Sequence, residues 1–367
     1  MGPLDRRERA LEIVRVDPGS CLGDLVALAR LEYGDSEMAN PDYLRWQYLE
    51  NPAGDAIVVV ARSNSGELAG QYVVIPIWVR LGTGRVMGSV SLNTLTHPDY
   101  RGRGLFTRMA KEVYAICERD KISLTVGFPN KNSYPGFVRK LQFRHIGNAN
   151  VLFQVLAPMK LLRKMPSVAG SPKYSPSNIS DVAVAIPGSG RSGIRIESLE
   201  FSECDSSFDE FIDNRETQRF SVEKSSAFCN WRYRAVPTRR YLAFQALDGD
   251  HLLAMCVVRM RQVKGIECAF VVEFQVCAGQ QGVEAGRHLL RVVMASYRSI
   301  GAVLGGMLVN PGAPEHEIAK SVGFREIPKR LLPHDAPIIV RKNDDRIEDR
   351  VFDAARWSFT FGDYDVF

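Results

Sequence analysis

The chain lacks any pair of cysteines at metal-binding or redox spacing. Its seven cysteines (Cys21, Cys117, Cys204, Cys229, Cys256, Cys268, Cys277) are odd in number and include no C-x-x-C. That argues against a disulfide framework or a zinc ribbon and fits reduced thiols in a reducing compartment. No metal site is expected. No apolar stretch approaches the ~18 residues of a membrane span. The opening MGPLDRRERALEIVRV has no signal-peptide core and no Ser or Thr at the spacing that myristoylation of Gly2 requires. A cytoplasmic protein without a membrane span is therefore the expectation. Runs of five or six like charges and heptad arrays are also missing. A net charge of +5 without a recognition motif leaves no case for nucleic-acid binding.

What remains is ordinary globular material. The chain has 367 residues, 45% of them hydrophobic and 24% charged. That length suggests two or three domains, each able to bury its own core.

An internal repeat organises it. Trp46-Gln47-Tyr48 is followed by Pro52, and Trp231-Arg232-Tyr233 by Pro237. Each motif leads into an apolar strand, then β-like segments, a long amphipathic helix, a strand, a short helix and a Phe-Arg pair (Phe143-Arg144, Phe324-Arg325). The offset is 185 residues at the Trp and 181 at the Phe, so two tandem copies are expected. In the first copy, strands are predicted over 11–16, 56–62, 68–81, 86–96 and 122–128, with residues 143–155 closing the sheet. Helices are predicted within 21–49, over 105–120 and over 132–141. The alternation implies an α/β mixed sheet covered by helices on both faces. Residues 159–193, rich in Ser, Pro and Gly, read as a solvated connector, or alternatively as a basic rim for an anionic substrate.

The segment Thr94-Leu95-Thr96-His97-Pro98-Asp99-Tyr100-Arg101-Gly102-Arg103-Gly104-Leu105-Phe106-Thr107 carries the chemistry. A strand ends, a turn with two glycines follows, and a helix begins at once. The first turn of a helix presents unpaired N–H groups and partial positive charge. Gly102 and Gly104 let backbone approach a phosphate, Arg101 and Arg103 add charge, and Thr107 adds a hydroxyl. Neither G-x-G-x-x-G nor G-x-x-x-x-G-K-[ST] is present, which disfavours the dinucleotide and nucleotide loops.

This segment, HPDYRGRGLF before an amphipathic helix, resembles the acyl-CoA-binding segment of the GNAT acetyltransferase superfamily. TVGFPN followed by KNSYPGFVRKLQF is similar to the next part of that fold, with Asn130 and Asn132 near the family's pantetheine asparagine. Gln142-Phe143 stands where Gly-Phe is usual. The resemblance covers roughly residues 11–155 and implies two tandem GNAT-like folds. Tandem GNAT proteins of this kind are linked to polysaccharide or amino-sugar modification. It further implies acetyl-CoA as cosubstrate, its diphosphate on the N–H groups of Gly102 to Thr107. Pantetheine would pair near Leu95 and Thr96, and a backbone N–H near Leu95 would face the thioester carbonyl. An amine would attack directly. The family's tyrosine position is Val138 here, which cannot act. Tyr134, His97 and Asp99 are the remaining candidates for acid or base, and His97 and Asp99 have a capping role as the alternative.

In the second copy, VVEFQVCAGQQGVEAGRHLL opens no helix with R-G-x-G, and Glu284 near the helix start would repel a phosphate. This copy is expected to have lost acyl-CoA binding while keeping Asn310 and Gly323-Phe324. Glu273 is either outward-facing, as alternation favours, or functional. Trp46 and Trp231 read as core anchors, with sugar stacking as the alternative. The aromatic tail 343–367 should dock back on the protein, with Asp363 and Asp365 in surface ion pairs or, alternatively, facing a cleft to bind an acceptor amine. The expected division is 1–158, an acyl-CoA-binding domain; 159–193, the connector; 194–342, a degenerate copy; and 343–367, the tail. The expected activity is acetyl transfer to a small-molecule amine, an amino sugar or sugar nucleotide being the named candidate, with a homodimer allowed. A longer acyl donor and a non-catalytic scaffold are the competing readings.

Overall fold

The computed structural model describes residues 11–164, 193–204, 206–215, 219–326 and 336–364. The first half runs β1 (Leu11–Val16), α1 (Leu22–Tyr33), α2 (Pro41–Leu49), β2 (Ile57–Ser63), β3 (Leu68–Leu81), β4 (Gly84–Thr96), α3 (Leu105–Arg119), β5 (Leu124–Gly127), α4 (Tyr134–Lys140), β6 (Arg144–Asn148) and β7 (Val151–Val155). A short helix, α5 (Pro158–Lys164), extends into the expected connector, of which residues 165–192 lie outside the described residues. The second half runs β8 (Arg195–Ser198), α6 (Ser206–Asp213), β9 (Phe220–Val222), α7 (Ser226–Cys229), β10 (Leu242–Asp248), β11 (His251–Val263), β12 (Ile266–Val276), α8 (Gln280–Ser299), β13 (Leu304–Leu308), α9 (Pro314–Val322), β14 (Arg325–Glu326) and β15 (Pro337–Lys342).

The local reasons are visible in the sequence. Asn40 caps α2 by accepting the amides of Asp42 and Tyr43, and Pro41 occupies the first helical position, where no N–H is needed. Along β2, alternate residues face opposite sides: Ile57, Val59 and Ala61 meet α3, whereas Val58 and Val60 face the other half of the molecule. α3 buries Leu105, Met109, Val113, Tyr114 and Ile116 at helical spacing.

The sheets are not separate. The first has order β1-β2-β3-β4-β5-β15-β6, with β9 added to the end of β3; the second has order β14-β7-β13-β12-β11-β10-β8. Each half therefore donates its last strand to the other. β15 pairs antiparallel with β5 and β6 (Ile339 opposite Gly127 and His145), and β7 with β13 (Gly306 opposite Phe153). The expectation that residues 143–155 close the first sheet thus holds for 144–148 only. Residues 151–155 cross over because β15 already fills the place beside β5.

The outer faces pack on α3 and α4 in one half and on α8 and α9 in the other. The inner faces share one core with α1, α2, α6 and the tail. At its centre Trp46 and Trp231 stack, ring centroids 4.7 Å apart. Each indole N–H donates to the other's backbone carbonyl, at 2.9 and 3.1 Å. The tail docks as expected: Trp357, Phe359, Phe361 and Tyr364 are buried. Asp365 and Phe367 lie outside the described residues.

Candidate active site

β4 and β5 run parallel from Gly88–Leu124 to Ser91–Gly127, and there the ladder stops. β4 continues to Thr96 while β5 turns away at Phe128. The partners on the other side of β4 slip at the same point: Val73 faces Leu92 but Gln71 faces Leu95, so Asn93 and Thr94 together oppose Tyr72. This is a β-bulge, and Asn93 takes φ +47° to make it. The result is a cleft walled by the free edge of β4 (Leu92–Thr96) and by Phe128–Asn130.

The bulge is held from beneath. The Asn93 side-chain amide donates to Gln47 Oε1 at 2.7 Å and to Tyr48 Oη at 2.9 Å. Gln71 Nε2 donates to the Asn93 carbonyl at 2.9 Å. All four residues are buried. The repeated Trp-x-Tyr motif therefore has a second role besides core packing: its tyrosine pins the bulge. The second half repeats the device, for Tyr233 Oη donates to Glu273 Oε2 at 2.9 Å. Sequence reasoning missed Gln47, Tyr48, Gln71 and Asn93, although the repeat of the motif was the signal.

Beyond Thr96 the chain makes a short turn, Pro98–Tyr100, in which His97 Nδ1 accepts the Asp99 amide at 3.2 Å. His97 thus takes the capping role. Gly102 and Gly104 adopt φ +80° and +69°, and a Cβ at either would meet nothing within 4 Å. They are glycines for conformation and open space rather than for packing. The first intrahelical bond of α3 runs from the Arg108 amide to the Gly104 carbonyl. The amides of Leu105, Phe106 and Thr107 therefore lie in the unpaired first turn. Arg101 pairs with Glu32 of α1 at 2.6 Å, and the Arg103 guanidinium lies over the Tyr100 ring. The loop is exposed, one short turn beyond the cleft, and its donors suit a diphosphate.

The remaining predicted residues fall around this cleft. Leu95 is buried and Thr96 half-buried, both paired to β3. A side chain at Gly70 opposite would strike the Leu95 carbonyl. Asn130 is exposed, and its side-chain oxygen accepts the amides of Asn132 and Ser133 at 3.0 Å, organising the approach to α4. Asn132 is exposed. Tyr134 Oη is 2.8 Å from His145 Nδ1, so the structure ties it to β6. Phe106, half-buried, packs against Tyr72 and Phe137. Gln142 keeps the left-handed backbone (φ +61°) that the usual glycine would adopt.

Burial pushes the hydroxyls of Tyr48, Tyr72 and Tyr114 well above the ordinary phenol value. It likewise raises the thiol of Cys117 to about 12, which disfavours its thiolate. Tyr364 of the tail stacks on Phe128 with ring centroids 3.8 Å apart, and its buried hydroxyl has no partner among the described residues. It lines a cavity of about 30 Å³ with Trp46, Gln47, Leu92, Trp231 and Arg232.

The second half has no equivalent loop. Three residues, Cys277–Gly279, join β12 to α8, against eight between β4 and α3. A Cβ at Gly282 would lie 2.1 Å from the Cys277 carbonyl. The space between β12 and β13 is filled by the tail: Asn310 Oδ1 accepts the Phe359 amide at 2.8 Å and Thr360 Oγ1 donates to Glu273 at 3.0 Å. Two expectations are corrected here. Glu273 faces inward, fully buried, because β12 carries one extra residue, Val272, opposite the Val257–Val258 step of β11, and this bulge shifts the alternation. Asp363 is not at the surface; it is buried in an ion pair with Lys224, which also lies 3.4 Å from Glu273. Glu284 is exposed and accepts from Gln280.

Residues 24–146 match the Acetyltransferase (GNAT) domain family model. No curated protein sequence matches significantly. Solved structures share the whole fold. A protein from Enterococcus faecalis described as a probable N-acyltransferase is 11% identical with a TM-score of 0.64, over 91% of this chain and 73% of its own. A GCN5-related N-acetyltransferase from Kribbella flavida is 15% identical with a TM-score of 0.61, over 91% and 71%. Saccharomyces cerevisiae N-myristoyltransferase with bound myristoyl-CoA is 11% identical with a TM-score of 0.56, over 93% and 84%.

Proposed function

We propose that this chain, which carries a GNAT acetyltransferase domain in its first half and a second GNAT-like fold after it, transfers an acetyl group from acetyl-CoA to the amine of a small acceptor. The observation that carries this reading is the exposed, glycine-flanked N-terminus of α3 beside the point where β4 and β5 part. In this reading the amides from Gly102 to Thr107, with Arg101 and Arg103, hold the diphosphate. The edge from Leu92 to Thr96 and the Asn130 region flank the pantetheine, Asn132 standing at the rim. Acetyl-CoA supplies an activated acyl carbon.

The chain's contribution is position and polarity. The Tyr48–Asn93–Gln47 network fixes the β4 edge, so its backbone donors are set before the substrate arrives. Tyr134 is engaged with His145 and His97 with its own turn, which leaves deprotonation of the amine to water or to the acceptor itself. An amino sugar or sugar nucleotide is the acceptor class we favour. Its support is the mixture of aromatic walls (Trp46, Trp231, Tyr364) with Gln47 and Arg232. The cavity there has room for about two waters, so a sugar ring would enter as Tyr364 moves aside.

The test is thiol release from acetyl-CoA and from longer acyl-CoAs across a panel of amino sugars and simple amines. Turnover with acetyl-CoA and at least one primary amine is expected. Cosubstrate binding without thiol release for every amine would leave the scaffold reading standing.

A further inference from the structure

A second cavity lies at the start of α8, about 120 Å³ in volume. That is roughly ten times the ~10–15 Å³ that one water occupies on the same measure. It is walled by Val276–Gly279 at the β12–α8 junction, by Pro314 and Glu315 of α9, by Ser358 of the tail, and by three arginines: Arg80 of β3, and Arg215 and Arg219 between α6 and β9. In the pseudo-symmetric arrangement it is where the first half has its diphosphate loop.

Among the described residues the positive charges exceed the negative. Arg80 pairs with Asp213 at 2.5 Å. Arg215, 13% exposed, pairs with Glu315 at 3.3 Å, and its buried Nε has no partner among the described residues. Arg219 donates only to the carbonyls of Trp357 and Pro311 and has no carboxylate partner among the described residues. Among the described residues, three guanidinium groups thus meet two carboxylates, Asp213 and Glu315. The first intrahelical bond of α8 is from Val283 to Gly279, so the amides of Gln280, Gln281 and Gly282 add the positive end of a 20-residue helix. Converging like charges in a partly desolvated recess is unfavourable without a counter-charge.

We propose that this cavity binds a compact phosphate-bearing anion, either free diphosphate or the diphosphate of a nucleotide. It does not take an acyl-CoA, because Phe359 and Thr360 occupy the path along Asn310 and β12 that a pantetheine arm would need. The site is independent of the activity proposed above, and its occupant would touch the tail that walls the acceptor cavity.

The test is calorimetry on the whole chain carrying Gly104→Glu, which removes the first-half loop as a phosphate binder. Inorganic pyrophosphate and UDP are titrated separately. Saturable one-to-one binding is expected, weakened at least tenfold by added Arg219→Gln or Arg215→Gln. UDP binding more tightly than pyrophosphate identifies a nucleotide as the source; equal or weaker binding identifies the free anion. Absence of saturable binding of both ligands, or binding unchanged by both substitutions, overturns the proposal. Coenzyme A titrated into the parent chain and into Gly104→Glu isolates the contribution of the first-half loop, while pyrophosphate titrated into Gly104→Glu isolates this cavity, so the two ideas fail separately.

Discussion

Asn93 concentrates the residue-scale argument. It holds a left-handed backbone at the bulge and, with one side-chain amide, satisfies both Gln47 and Tyr48. Replacing it by glycine keeps the conformation and loses the hydrogen bonds; alanine loses both. Buried partners left unsatisfied cost about 1–3 kcal/mol each at most, and a non-glycine residue without a local hydrogen bond costs ~1–2 kcal/mol more in that backbone region. Chemical denaturation should therefore rank wild type above Asn93→Gly and Asn93→Gly above Asn93→Ala, and both variants should raise KM for acetyl-CoA. An alanine variant as stable as wild type would contradict the role given to the bulge. At this scale the sequence showed the loop glycines and arginines, because their function depends on neighbours in the chain. It did not show Glu273 or Asp363 as buried, since a one-residue bulge on β12 and a lysine 139 residues away decide their surroundings.

Among the elements, α3 and α8 make an instructive pair. Both follow a fourth-strand equivalent and both bury a regular apolar stripe. Their linkers differ, eight residues against three, and the R-G-x-G present in the first and absent from the second was legible in the sequence. The strand exchange was not legible, because β7 and β15 are ordinary apolar strands whose partners are set by which edge is free. It has a direct consequence. Residues 11–158 alone lack β15, which forms the ladder between β5 and β6 and buries Ile338, Ile339 and Val340. Expressed alone, that fragment should fail to unfold cooperatively and should expose apolar surface; a sharp two-state transition would count against the interlocked account.

For the molecule as a whole, the two halves meet at the reciprocal pair of Trp46 and Trp231; the repeat of the motif was visible in the sequence, its pairing was not. Away from that pair the contact is ionic. Arg239, 1% exposed, reaches Glu37 across the interface, joined by Thr238 at 2.9 Å and Tyr43 at 3.0 Å. Burial alone would raise the Glu37 carboxyl, but its hydrogen bond and charge contact with Arg239 hold it below the ordinary glutamate range. A depressed carboxyl contributes stability that is present above the unfolded glutamate pKa of about 4.3 and is lost as pH falls through the lower folded value. Wild type should accordingly lose stability more steeply below about pH 4.3 than Glu37→Gln. At pH 7 the variant should be less stable by up to ~3–5 kcal/mol, the cost of leaving a buried arginine unpaired. Parallel acid limbs for the two proteins would remove this pair from the account.

The central claim is that the amides from Gly102 to Thr107 form a cradle for the diphosphate of coenzyme A. Calorimetric titration of coenzyme A into the parent chain and into Gly104→Glu, with folding of both checked by circular dichroism, tests it most directly. One-to-one binding by the parent and its loss in the folded variant is the predicted result. No binding by the parent, or equal affinity in the two, would contradict it.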